Sequence, residues 1–138
     1  MMTETRLVRD VRDDEILAFY RDGAAILRAI IEPDWIETMR TAVDRVLARR
    51  GEFSFDHQER DRPGRFRDDL FLWRRDPDFD GFMRRSPMPE LAARVLGCRT
   101  LRFFYDQLLV KEPGTVQPTP WHQDLPYWPI RGSQIVSI

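Results

Sequence analysis

From residue 34 to about residue 49, apolar side chains recur every three or four positions, at Trp35, Ile36, Met39, Ala42, Val43, Val46 and Leu47, while Glu37, Arg40, Asp44 and Arg45 take the other face. That spacing predicts an amphipathic helix, with Pro33 just before it and Gly51 just after it. A helix with one apolar stripe has to bury that stripe against a second layer. The rest of the chain must supply it.

Residues 13–23 open on Asp13, Asp14 and Glu15, carboxylates suited to a helix N-terminus, and close on Gly23, suited to the left-handed position after a helix. The compact apolar run at residues 24–28 reads as a strand. Residues 51–69 are dense in Arg, Asp and Glu, contain Pro63 and Gly64, and show no period, which predicts a surface loop. Phe71, Leu72 and Trp73 restore apolar character. Residues 76–85 and 87–96 each predict a short helix, the second with Leu91, Ala92, Val95 and Leu96 as its stripe and Gly97 at its end. Residues 100–110, rich in aromatic and β-branched side chains and free of Gly and Pro, read as a central strand, and residues 133–138 alternate as another. Helices first and strands late predict an α+β protein, one domain over residues 1–138, whose sheet has barely begun.

Composition narrows the class. With 138 residues, 42% hydrophobic and 33% charged, the chain reads as one globular domain. Twenty-two basic against 23 acidic residues give a net charge of -1, so no global field would hold a nucleic-acid backbone. Nearly all the basic residues are Arg, and Lys111 is the single lysine. The single cysteine, Cys98, excludes an intrachain disulfide, fits a reducing compartment and reads as a small buried hydrophobe. No window approaches the ~18 apolar residues of a membrane span, and the charged N-terminus lacks a signal-peptide core, so the expectation is a cytoplasmic protein without a membrane partner.

The residues that carry chemistry lie late. His122 and Asp124 are two apart, so on extended backbone their side chains project to the same side and can grip one cation. An imidazole and a carboxylate are two of the three ligands in the facial triad of non-haem iron(II). The pattern alone is common and is also that of an ordinary surface ion pair. Trp121, Tyr127 and Trp128 flank it and are expected to shield a metal and line an organic pocket, although ordinary core packing would use the same rings.

The string Asp106-Gln107-Leu108-Leu109-Val110-Lys111-Glu112-Pro113-Gly114-Thr115, followed by Thr119-Pro120-Trp121-His122-Gln123-Asp124-Leu125-Pro126-Tyr127-Trp128-Pro129-Ile130, resembles the phytanoyl-CoA dioxygenase family. The opening helix, Gly23 and the segment after it resemble that family's N-terminus, so the likeness covers nearly the whole chain. It implies an iron(II)- and 2-oxoglutarate-dependent oxygenase that hydroxylates a small organic or lipid-like substrate. The implied fold packs N-terminal helices on the first strands of a double-stranded β-helix, a cupin-like jelly roll. His122 and Asp124 would then be the first two iron ligands. Gln123 stands between them in the family's H-Q-D form, and Gln107 falls where the family approaches 2-oxoglutarate; each glutamine is equally a structural hydrogen-bond partner. Lys111, ahead of the K-x-P turn, reads as a solvated loop residue.

Family members continue with strands that bring a second histidine to the metal and an arginine to the distal carboxylate of 2-oxoglutarate. The 138 residues contain neither, which predicts a jelly roll left incomplete and no turnover of 2-oxoglutarate by the chain alone. His57, in the charged loop, is expected to be solvated rather than a substitute ligand. No residue is assigned as a general base. One alternative is a non-catalytic remnant or split-protein half that gains its strands from a partner chain, or self-associates, along an exposed edge at residues 133–138. A zinc hydrolase would need a further histidine and a base, for which the sequence offers no candidate.

Overall fold

The computed structural model describes residues 6–57, 64–116 and 118–138; Gln58, Glu59 and Pro63 of the charged loop lie outside the described residues. Four helices form as the periodicity predicts: α1 (Asp13–Asp22), α2 (Pro33–Leu47), α3 (Pro77–Arg85) and α4 (Met88–Leu96). Gly23 and Gly97 follow α1 and α4 with φ of 77° and 62°, the left-handed region that a residue without Cβ adopts at little cost. At the start of α1, the Glu15 carboxylate accepts the Arg12 backbone N–H at 3.0 Å and the Arg9 guanidinium at 2.6 Å. Arg9 also donates to the Arg28 carbonyl at 3.0 Å, which straps the N-terminal segment across the turn after α1. Asp76 caps α3 by accepting from the backbone N–H groups of Asp78 and Phe79, and it receives Arg45 of α2 at 2.9 Å.

Three antiparallel strands, β1 (Ser54–Asp56), β2 (Phe66–Leu70) and β3 (Gln107–Lys111), make one sheet in the order β1-β2-β3. Asp56 stands opposite Arg67 and Ser54 opposite Asp69, while Asp68 stands opposite Leu109 and Leu70 opposite Gln107. One face, with Arg67, Asp69 and Leu108, is turned to the helices. Leu108 packs there on the cluster of Ala42, Val46, Leu72 and Phe79. A second cluster, Ile30, Leu91 and Val95, joins the strap to α4. The other face, with Phe55, Asp68, Gln107, Leu109 and Lys111, is open, and Phe55 and Leu109 are exposed on it.

The α+β expectation holds, with corrections to its parts. Residues 24–28 are not a strand: Leu27 packs against the Ile30, Leu91 and Val95 cluster, Ile26 is exposed, and a tight turn with Ala29 at φ 51° follows. Residues 51–69 are not one loop, since they hold β1 and β2. Hydropathy hides β2 because its charged residues point inward. Arg67 and Asp69 are buried, with Arg67 Nε donating to Asp56 at 2.5 Å and Asp69 accepting from Arg75 at 2.5 Å and from the Ser54 hydroxyl. Of residues 100–110 only those from Gln107 onward are strand, and Phe103 and Phe104 are exposed on the irregular part before it. The Asp106 side chain accepts the Trp73 backbone N–H at 2.9 Å and its carbonyl accepts the Phe71 N–H at 3.1 Å, so the ladder begins at the next residue. Burial pushes the Asp106 carboxyl above the usual carboxylate range. Residues 133–138 pair with no strand among the described residues, and Cys98 is half-buried. Lys111 is the last residue of β3 rather than a loop residue; its ammonium lies over the Phe66 ring and donates to the Thr119 hydroxyl at 2.7 Å. None of the described helices is long and apolar enough to cross a membrane.

Candidate metal centre

His122 and Asp124 meet. His122 Nε2 lies 3.1 Å from Asp124 Oδ1, both on the protein surface. The backbone there is not extended as expected, because Asp124 has φ -72° and ψ -37° at the start of a short 3-10 turn over Leu125–Tyr127. The turn, closed by the Tyr127 N–H on the Asp124 carbonyl at 2.9 Å, brings the carboxylate back toward the imidazole.

The other imidazole nitrogen decides what this pair can do. His122 Nδ1 is 2.7 Å from the Pro120 carbonyl oxygen, which only accepts, so Nδ1 carries the hydrogen. In the neutral ring Nε2 then holds its lone pair toward a carboxylate oxygen, an arrangement that calls for a cation or a proton between them. Metal-binding histidines are oriented in this way, through an Nδ1–H to a carbonyl or carboxylate. The donor set therefore fits two positions of an iron(II) site. Among the described residues no group of three or more His, Cys, Asp or Glu comes together as a metal site.

The surrounding rings do not all shield the pair. Trp121 and Tyr127 are exposed, contrary to the sequence expectation. Trp128 is half-buried, against Phe104 and Tyr105 with ring centroids 6.0 and 6.2 Å away. The groove of about 580 Å³ between α2 and α3, which Trp35, Met39, Val43 and Phe82 help to line, takes no lining from this segment.

The two glutamines part company. Gln123 is exposed. Gln107, on the open face of β3, donates from Nε2 to Asp68 Oδ1 at 3.0 Å and accepts from the Tyr105 hydroxyl at 3.3 Å. Tyr105 in turn accepts the Trp128 indole N–H at 3.0 Å. His57, half-exposed as expected, has Nε2 3.4 Å from Asp68 Oδ2. Sequence reading singled out neither Asp68 nor Tyr105. Tyr105 carried a usable signal, since it stands two residues before Gln107 in the run that reads as extended from the sequence; Asp68, between Arg67 and Asp69, carried none.

A comparison with family models settles the kinship, since the model of the phytanoyl-CoA dioxygenase family matches residues 19–138. The chain belongs to the phytanoyl-CoA dioxygenase family. No curated protein and no solved structure was found to match it. As a member of that family, it is oxygenase-like, and the H-Q-D triplet and Gln107 both fall inside the matched span.

Proposed function

We propose that this chain contributes to an iron(II)- and 2-oxoglutarate-dependent oxygenase acting on a small organic or lipid-like substrate. His122 and Asp124 would be two of the protein ligands and Gln107 and Gln123 would lie on the co-substrate side. The observation that carries this reading is the convergence of Nε2 and Oδ1 at 3.1 Å, with Nδ1 tied to a carbonyl, inside a chain that matches the family from residue 19 onward. Bound iron with 2-oxoglutarate and O2 would supply oxidative decarboxylation coupled to hydroxylation of a C–H bond. The protein's part is local. The Pro120 carbonyl orients the imidazole, the turn after Asp124 orients the carboxylate, and Tyr105 and Asp68 hold the Gln107 amide. No side chain is assigned to move a proton.

The double-stranded β-helix belongs to the same proposal: the sheet β1-β2-β3 would be its first part, with the open face turned toward the metal. A third ligand and a carboxylate-binding arginine would come from polypeptide outside these 138 residues. The exposed apolar residues beside β3, an edge strand, favour a second source for them, a partner chain that pairs along that edge. A ferrous centre and the lone thiol of Cys98 both suit a reducing compartment such as the cytoplasm.

Titration with Mn(II), a stand-in for iron(II), tests the reading. His122→Ala should weaken Mn(II) uptake by at least about tenfold. Unchanged uptake would remove the proposed centre. Oxygen-dependent release of succinate should be absent for the 138-residue polypeptide alone, and its detection would show that the ligands present suffice.

A further inference from the structure

Of the residues from 121 to 129, all but Trp128 are exposed, so the segment bearing His122 and Asp124 is fastened to the body mainly at that indole. The fastening is one end of a hydrogen-bond chain across the open sheet face. Trp128 Nε1–H donates to the Tyr105 hydroxyl at 3.0 Å, that hydroxyl donates to Gln107 Oε1 at 3.3 Å, and Gln107 Nε2–H donates to Asp68 Oδ1 at 3.0 Å. An indole can only donate and a carboxylate can only accept, so the two ends impose one direction on every bond between them. The amide of Gln107 cannot flip without facing its N–H toward a hydroxyl already receiving one and its oxygen toward the carboxylate. Asp68 is on the central strand, its side chain 15% exposed, opposite Leu109 in the ladder, and is the most enclosed end of the chain.

We infer that Asp68 is a positioning residue for the candidate centre, setting through Gln107, Tyr105 and Trp128 where the segment from His122 to Asp124 lies on the sheet. The inference rests on the ferrous-centre reading above. It assigns to Asp68 the role of acceptor rather than of charge. An asparagine, whose amide oxygen also accepts, should therefore replace it, whereas alanine should not. Groups hydrogen-bonded directly to metal ligands are typically worth about 10- to 100-fold in metal affinity; Asp68 acts through three intervening side chains, so its effect is expected at the lower end.

Two measurements on the same chain test it. In 15N-edited NMR spectra, four tryptophans give four indole N–H signals, assignable by substitution. In Asp68→Ala and in Tyr105→Phe the Trp128 signal should move toward that of the exposed Trp121, and in Asp68→Asn it should return to its original place. Mn(II) broadening of the His122 imidazole signals should need about tenfold more metal in Asp68→Ala, close to the original amount in Asp68→Asn, and more in Asp124→Ala; His57, which itself touches Asp68, is not used as a reference. A Trp128 signal indifferent to Asp68→Ala, or a His122 response indifferent to it while Asp124→Ala shifts it, would overturn the inference and leave the metal centre standing. Indifference to Asp124→Ala would remove the centre and the inference together.

Discussion

Up to Leu96 every helix of this protein contributes at least one buried side chain, and the helices meet in two apolar clusters; beyond Gly97 no described residue is buried, although that part holds Phe103, Phe104, Leu109, Trp121 and Tyr127. The first region is held by volume filled, supplemented by enclosed ion pairs such as Arg67 with Asp56. Apart from Leu108, which packs on the first region's cluster, the second is held mainly by directional contacts: Glu112 to Arg65 at 2.5 Å, Lys111 to Thr119, and the chain from Trp128 to Asp68. Stability and chemistry are thus housed apart. Segments that bear ligands are commonly drawn from the less stable part of a fold, where few apolar contacts oppose motion.

Substitutions can break this contrast, and the largest effect is expected at Asp69. Its carboxylate is fully buried between Arg75, Ser54 and Arg67, so Asp69→Ala strips Arg75 and Ser54 of their buried acceptor, leaves Arg67 with Asp56 alone, and should cost about 3–5 kcal/mol by denaturant unfolding. Next comes Leu72→Ala, which empties a fully buried site between Ala42, Val46 and Phe79 and should cost about 2–5 kcal/mol. A smaller effect, visible only against pH, belongs to Glu15. The Arg9 side chain, then the Arg12 backbone N–H, hold its carboxyl at about 2 against an ordinary 4.5. A carboxyl depressed by folding stabilises the fold fully above its unfolded value. That stabilisation should fade as pH falls from about 4.5 toward 2, and Glu15→Gln should flatten the profile in that window. Smallest of all, Leu109→Ala on the open face should change stability by no more than about 0.5 kcal/mol. A loss at Leu109 comparable to that at Leu72 would mean that the second region has a core of its own.

The helices were legible because burial on a helix leaves a period of three to four, and Gly23 and Gly97 announce their ends by a conformation other residues resist. Strand β2 was not, since its inward positions are Arg67 and Asp69 and its hydropathy therefore carries no alternation. The run at residues 24–28 was over-read for the opposite reason: apolar residues met a helix rather than a ladder. At the site, a two-residue spacing was enough to pair His122 with Asp124, although a turn and not extended backbone brings them together. The contact of Asp68 with Gln107 joins positions 39 apart in sequence and was invisible before folding.

The inward charges of β2 also bear on how the chain avoids going astray. A slip by one residue would turn Phe66, Asp68 and Leu70 toward the helices and strip Arg67 and Asp69 of Asp56, Arg75 and Ser54 at once. Mispaired or intermolecular ladders would thus begin with stranded ions, so the safeguard of this central strand against tangling is electrostatic, not oily.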